Sequence, residues 1–234
     1  MLVTNHPLAA PAAALLFTLG AVAIGSLMPT ASVLVWMAEE GPVERWTLML
    51  YFLAALGVCG DRERLQAPVW LALATLIVAA AGRELDWHKA FTEVSIMKLS
   101  YYLGAAAWSQ KLAALAMVVP TLLAALYLCR RFAGPLWRGA RQRHPLALTA
   151  LTFLVVLAAA KLVDRSLVLL NEDWGLRTGA AARALQLAVE EVLELGLPAL
   201  VLLGLVQLRK LPVTAPVEPE GGLRGAASGL PEAF

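Results

Sequence analysis

Long apolar runs recur along the whole chain and leave only short polar segments between them. Six such runs can be drawn, at 11–37, 46–60, 68–82, 111–132, 145–163 and 184–208. A helix needs about 20 apolar residues to cross a hydrocarbon core of about 30 Å. The sequence therefore predicts an all-α integral membrane bundle of about six transmembrane helices, in which Pro29 kinks or breaks the first run.

The composition supports the same class of protein. Hydrophobic residues make up 60% of the chain and charged residues only 15%, whereas soluble domains usually carry about a quarter charged residues. A net charge of +2 provides no basic surface for nucleic acid, so the expected partner is the lipid bilayer. Residues 1–210 are predicted to form one transmembrane helical domain. Residues 211–234, rich in Pro, Gly and Glu, are predicted to be a disordered cytoplasmic tail.

The distribution of Lys and Arg predicts the orientation in the membrane. The segment "RRFAGPLWRGARQRH" at 130–144 holds five arginines and no acid. Arg62 and Arg64 follow the second run, and Arg209 and Lys210 follow the sixth. All of these cations fall on one side of a six-span bundle, and cytoplasmic loops are the ones enriched in Lys and Arg. We therefore expect both termini in the cytoplasm and the protein in a bacterial inner membrane.

The sixth run contains three carboxylates in the stretch "QLAVEEVLELGLP". Glu190 and Glu194 are four residues apart and share a helix face, with Glu191 beside them. Three acids at the centre of a span would cost about 8–10 kcal/mol, while the leucines and valines of this run return only about 4–7 kcal/mol. These acids are therefore expected to face the interior of the bundle and to meet partners or water there.

The first candidate partners lie at the end of the fifth run, in "AAAKLVDRS". Lys161 and Arg165 are four residues apart, and Asp164 lies beside them. One outer loop separates this segment from the three glutamates. Two interpretations remain open. The cations and acids form a structural staple between two helices, or the carboxylates bind a cation or relay protons.

A second candidate group follows the third run, in "RELDWH". If the helix continues, Glu84 and His88 are four apart on one face, a spacing that suits two metal ligands or a simple Glu–His hydrogen bond. Asp86 projects elsewhere, and Arg83 can pair with a carboxylate on another helix. His88 is the only histidine on the predicted outer side, where it could also act as a titrating proton carrier.

The connector "EEGPVERW" between the first two runs brings further acids to the same side. Glu44 is expected in the first turn of a helix, where the helix dipole favours a negative charge. Glu39 and Glu40 are expected to be a solvated connector that could join a site.

Three stretches together, "EEGPVERW", "RELDWHKAFT" and "VEEVLELGLP", resemble a group of bacterial inner-membrane proteins that has no established activity. The resemblance covers most of the chain except the tail and implies a multi-span membrane protein. The pair Glu190 and Glu191 is also similar to the glutamate pair that begins the site of CAAX-processing membrane proteases. No histidine follows the pair here, and the three histidines of alkaline-ceramidase-like hydrolases are not matched either.

Three functions are consistent with these residues. The first is a membrane hydrolase acting on a lipid or another membrane substrate, with a divalent metal ion as its candidate cofactor. The second is a proton- or cation-coupled transporter. The third is a non-catalytic assembly or scaffold protein in which the acids form structural ion pairs.

The hydrolase hypothesis assigns a role to each polar residue of the outer side. The metal ligands would be Glu84, Asp86, His88 and Glu194. Groups that bind an anionic substrate would be Arg83, Lys161 and Arg165. The catalytic groups would be Glu84, His88, Glu190 and Glu191.

Overall fold

A computed structural model describes residues 3–87 and 99–211 of the chain. After a 3-10 turn at Val3–Asn5, these residues form a bundle of α-helices connected by short turns. The predicted tail and His88 lie outside the described residues. The helices are α1 (Ala9–Leu27), α2 (Thr30–Trp36), α3 (Pro42–Gly60), α4 (Ala67–Glu84), α5 (Leu99–Leu103), α6 (Trp108–Arg141), α7 (Pro145–Val168) and α8 (Ala180–Arg209).

Five of these helices have the length and apolar character needed to cross a membrane: α1, α3, α4, α6, and α7 with its continuation to Asp173. The predicted class, an all-α membrane bundle, is confirmed. The sixth predicted span, α8, is not among the five. It carries the three glutamates, and at about 45 Å for its 30 residues it is still long enough to span a bilayer.

Helix α8 occupies the centre of the bundle. It packs against α1, α2, α3 and α7, and its buried residues run from Ala184 near its start to Gln207 near its end. The other long helices present large apolar side chains on the outside, such as Leu16, Leu122 and Val155. This arrangement leaves lipid contact to the outer helices and places the polar residues of α8 among protein neighbours.

Two predicted runs differ from the helices observed. The run at 11–37 is divided into α1 and α2 because Pro29 has no N–H and holds the preceding Met28 in an extended conformation, with ψ at 152°. The fourth run continues as helix through the arginine-rich segment, so that α6 has 34 residues and includes Pro120 and Pro135.

The two ends of the bundle differ in charge. At the end that we call the basic end, Gln207 Nε2 donates to the Thr4 carbonyl at 2.9 Å, and Arg209 Nε pairs with the buried Asp61 at 2.8 Å. Arg64 donates to the Arg209 carbonyl there at 3.2 Å. The start of the described chain and the end of α8 thus lie together, as they do in a bundle with an even number of crossings.

Glycine permits a close helix contact in the core, between α1 and α8. A Cβ added to Gly25 would lie 2.9 Å from the Leu185 Cα and 3.3 Å from the Ala188 Cβ. The first distance involves backbone, which cannot turn aside as a flexible side chain can. Gly20, one and a half turns earlier on α1, has nothing within 4 Å of such a Cβ.

We expect Gly25→Ala to lower the free energy of unfolding by about 1–3 kcal/mol, because the added methyl group forces α1 and α8 apart. Gly20→Ala is the matched control and should be neutral or stabilising, since alanine is the better helix former. Thermal unfolding of the detergent-solubilised protein measures both. Equal melting temperatures for the two variants would contradict the close packing of α1 on α8.

Candidate functional site

Glu194 of α8 lies where three helices meet, in the half of the bundle opposite the basic end. Its carboxylate contacts Arg83 of α4 at 2.5 Å and Lys161 of α7 at 3.2 Å. Its side chain is only 7% exposed. One carboxylate therefore connects α4, α7 and α8, and it is neutralised by two cations that belong to different helices.

Arg83 also holds a second carboxylate. Its Nη2 lies 2.8 Å from Glu84 Oε1, and the Glu84 side chain is 6% exposed while Arg83 is 38% exposed. Arg83 stands in the last turn of α4, where the unpaired carbonyls favour a cation. The guanidinium is thus shared between two buried acids, with one edge left open to its surroundings.

Glu190 and Glu191 lie about one turn before Glu194 on α8, and both are partly buried. Glu190 is within electrostatic range of Asp164, Glu194 and Lys161. Glu191 is within range of Glu194, Glu190 and Glu84. We call the group formed by the four glutamates and their two cations the carboxylate cluster: Glu84, Glu190, Glu191 and Glu194, with Arg83 and Lys161.

The side of the cluster on α7 is fixed by hydrogen bonds. Gln186 Nε2 donates to the carbonyls of Val163 and Asp164 at 3.1 and 3.0 Å, and Lys161 Nζ lies 3.4 Å from Asp164 Oδ2. The α-helix then widens into a π-helical turn at Leu169–Asp173. Such turns are rare and often occur beside functional sites.

Of the two cations on α7 that were predicted to meet the glutamates, only one contacts Glu194. Lys161 reaches Glu194 at 3.2 Å, as the staple interpretation expects. Arg165, one turn further along α7, is exposed, and no ion pair joins it to the other described residues. Arg83, predicted to pair with a carboxylate on another helix or to bind an anionic substrate, is the second cation on Glu194.

The helix that carries Glu84 does not continue through Leu85 and Asp86, and His88 lies outside the described residues. Helix α4 ends at Glu84, and the N–H of Leu85 closes its last turn by donating to the Ala81 carbonyl. Asp86 then adopts a positive φ of 51°, a left-handed conformation that Asp tolerates better than most residues. The chain turns here, so the continuous helix on which the spacing of Glu84 and His88 depended is not present at Leu85 and Asp86. The roles of Glu84 and His88 as ligands or acid–base groups stay predictions.

The metal prediction gains no support from the described residues. Among them, no group of three His, Cys, Asp or Glu side chains is arranged to hold a metal ion. The ligand set Glu84, Asp86, His88 and Glu194 includes one residue outside the described part, so it stays a prediction.

The connector before α3 has the structure expected of a helix start. Glu44 lies in the first turn of α3, and its carboxylate accepts a hydrogen bond from the backbone N–H of Glu40. Glu44 therefore accepts a hydrogen bond from the backbone of its own connector. It also lies within electrostatic range of Glu84 and Glu191. Glu39 and Glu40 are exposed.

One polar neighbour of the cluster was missed in the sequence. Tyr51 of α3 is 4% exposed and within electrostatic range of Glu84, Arg83 and Glu194. The signal that could have revealed it is helical spacing, because Glu44, Thr47 and Tyr51 follow one another at three and four residues on one face. Thr47 and Tyr51 are both buried on that face.

Comparison with known proteins adds no relative to this description. No protein-family model, no curated protein and no solved structure matches the chain. The resemblance to the bacterial inner-membrane group stays a prediction.

We expect Glu194→Gln to lower the free energy of unfolding by about 1–3 kcal/mol, because it leaves Arg83 and Lys161 without their shared buried carboxylate. Asp164→Asn is the matched control. It removes an acid that contacts the same Lys161 but is 42% exposed, so its cost should stay below about 1 kcal/mol. Thermal or denaturant unfolding in detergent compares the two, and a larger loss for Asp164→Asn would contradict the central position of Glu194.

Proposed function

We propose that the protein is a proton- or cation-coupled carrier in which the carboxylate cluster is the ion-binding site. The apolar helices are those of an integral membrane protein with the bilayer as its environment. The observation that carries the proposal is the imbalance of charge in the cluster. Four glutamates face two cations there, and both cations already contact Glu194.

Carboxylates in excess of cations are costly among apolar helices. An ionised carboxylate that is buried without a partner is strongly disfavoured, so such a group either takes up a proton or binds a cation. Glu194 meets this requirement through Arg83 and Lys161. Glu190 and Glu191 are left to take up protons or a cation from solution, and this exchange is the elementary step of an ion-coupled carrier.

The cluster lies opposite the end that holds Arg62, Arg64 and the arginine-rich part of α6. If cations mark the cytoplasmic side, the cluster opens toward the outer side of a bacterial inner membrane. An ion entering from there would meet Glu190 and Glu191 before it reached Glu194, which lies about one turn deeper along α8.

The hydrolase hypothesis requires more than the described residues provide. Metal-dependent hydrolysis needs a metal with several protein ligands and an activated water. Within residues 3–87 and 99–211, two of the four predicted ligands, Glu84 and Glu194, are paired with Arg83 and Lys161. The hypothesis therefore depends on His88.

The scaffold hypothesis is favoured by one specific observation, the three-helix contact of Glu194. An ion pair of this kind fixes the relative positions of helices without any chemistry. We assign this structural role to Glu194 and the exchanging role to Glu190 and Glu191, so the two functions occupy neighbouring residues.

The proposal predicts exchange of protons for a cation across a membrane. Purified protein is reconstituted into liposomes that enclose a pH-sensitive dye and hold a pH gradient, and Na⁺, K⁺, Mg²⁺ or Ca²⁺ is then added outside. At least one cation should collapse the gradient faster than in empty liposomes. Glu191→Gln should abolish most of this effect, because it removes one exchanging carboxylate.

Glu172→Gln is the control, since Glu172 is an exposed acid in the π-helical turn at the same end of the bundle. The Glu172→Gln variant should leave unchanged the rate at which the added cation collapses the pH gradient. Identical gradients in liposomes with and without the wild-type protein, for all four cations, would overturn the carrier proposal. Equal loss in the Glu172 and Glu191 variants would show that general surface charge, and not the cluster, determines the rate.

A further inference from the structure

A groove at the basic end of the bundle combines apolar walls with a few polar side chains, one of which is the cation Arg138. It has a volume of about 460 Å³, within the range of about 300–1,000 Å³ of small-ligand sites. It lies between the end of α6 and the start of α7. Gly139 makes this approach close, because a Cβ there would lie 2.8 Å from the Ala147 Cβ.

The length of α6 places the groove at the membrane surface. No charged residue occurs between Lys111 and Arg130, and these 18 residues extend for about 27 Å at 1.5 Å per residue. This length matches a hydrocarbon core of about 30 Å. Arg130 therefore marks the boundary, and the remaining turns of α6 extend into the region of the lipid head groups.

The two kinds of side chain in the groove suit two parts of one molecule. Phe132, Pro135 and Leu136 of α6 and Leu146 of α7 form its apolar lining. They stand next to the membrane boundary, where an acyl chain would be found.

The polar part of the groove is cationic. Arg138, Gln142 and His144 line it, and Arg138 makes no ion pair with the described residues. The segment 130–144 contains no acid. Trp137 beside it is 59% exposed, and Arg141 stacks over its ring at 5.2 Å, an amphipathic arrangement typical of a membrane interface.

We propose that this groove binds an anionic phospholipid. Arg138 holds the phosphate, Gln142 and His144 supply further hydrogen-bond donors, and the apolar wall of α6 and α7 receives the first part of an acyl chain. This site is separate from the carboxylate cluster at the other end of the bundle, and it does not depend on the carrier proposal.

Native mass spectrometry of the full-length protein in a neutral detergent tests the site. The protein is titrated with dioleoyl phosphatidylglycerol and, separately, with dioleoyl phosphatidylcholine. We expect tight retention of the anionic lipid and weak retention of the zwitterionic one. Arg138→Gln should weaken binding of phosphatidylglycerol about five-fold, the effect of one cation at an anionic lipid surface.

Arg62→Gln is the matched control, because it removes one exposed arginine from the same end of the bundle outside the groove. It should leave binding within about two-fold of the wild type. Arg138→Lys keeps the charge and should keep the preference for phosphatidylglycerol, which separates loss of the site from loss of the fold.

Three results would overturn the proposal. The first is equal retention of the two lipids by the wild-type protein. The second is an Arg62→Gln variant that loses as much binding as Arg138→Gln, which would indicate attraction to net charge alone. The third is displacement of phosphatidylglycerol by inorganic phosphate at equal concentration, which would make the groove a site for a free anion.

Discussion

The contact of Glu194 with Arg83 and Lys161 is the interaction on which the arrangement of α4, α7 and α8 depends. A carboxylate that is 7% exposed among apolar helices is costly to bury unless cations lie beside it. The two cations come from different helices. The need of Glu194 for both of them therefore fixes the relative positions of α4, α7 and α8. The distances of 2.5 and 3.2 Å leave no room for either helix to withdraw without breaking a pair.

The same requirement explains why α8 is central. Its apolar residues would be satisfied by lipid, but its three glutamates would not. Surrounding α8 with α1, α2, α3 and α7 removes the acids from lipid and leaves the apolar faces of the outer helices for the bilayer. Because Gly25 has no side chain, α1 can pack directly against this central helix. The glutamates of α8 then lie in the half of the bundle opposite Arg209 and the arginines of α6.

Much of this arrangement follows from sequence patterns with direct physical causes. Apolar runs predict the helices, and the spacing of Glu190 and Glu194 predicts that both acids share a face. The cost of placing acids in a membrane predicts that they meet partners, and Lys161 was correctly identified as one. These predictions need only helix geometry and the free energy of charge in lipid.

The choice between neighbouring residues could not be predicted in the same way. Lys161 and Arg165 share a face of α7 and lie about 6 Å apart along its axis, so a small shift of α7 along α8 decides which of them lies level with Glu194. The end of α4 at Glu84 depends on local turn geometry at Leu85 and Asp86. A helix pattern that continues through these residues gives no sign of that turn.

A double-mutant cycle across the central contact tests the account most directly. Arg83→Gln, Glu194→Gln and the double variant are unfolded under the same conditions, and the cycle is repeated with Lys161→Gln and with Arg165→Gln in place of Arg83→Gln. We predict coupling of about 1–3 kcal/mol between Glu194 and each of Arg83 and Lys161, and additive effects with Arg165. Additive effects with Arg83 and Lys161, or coupling only with Arg165, would contradict the account.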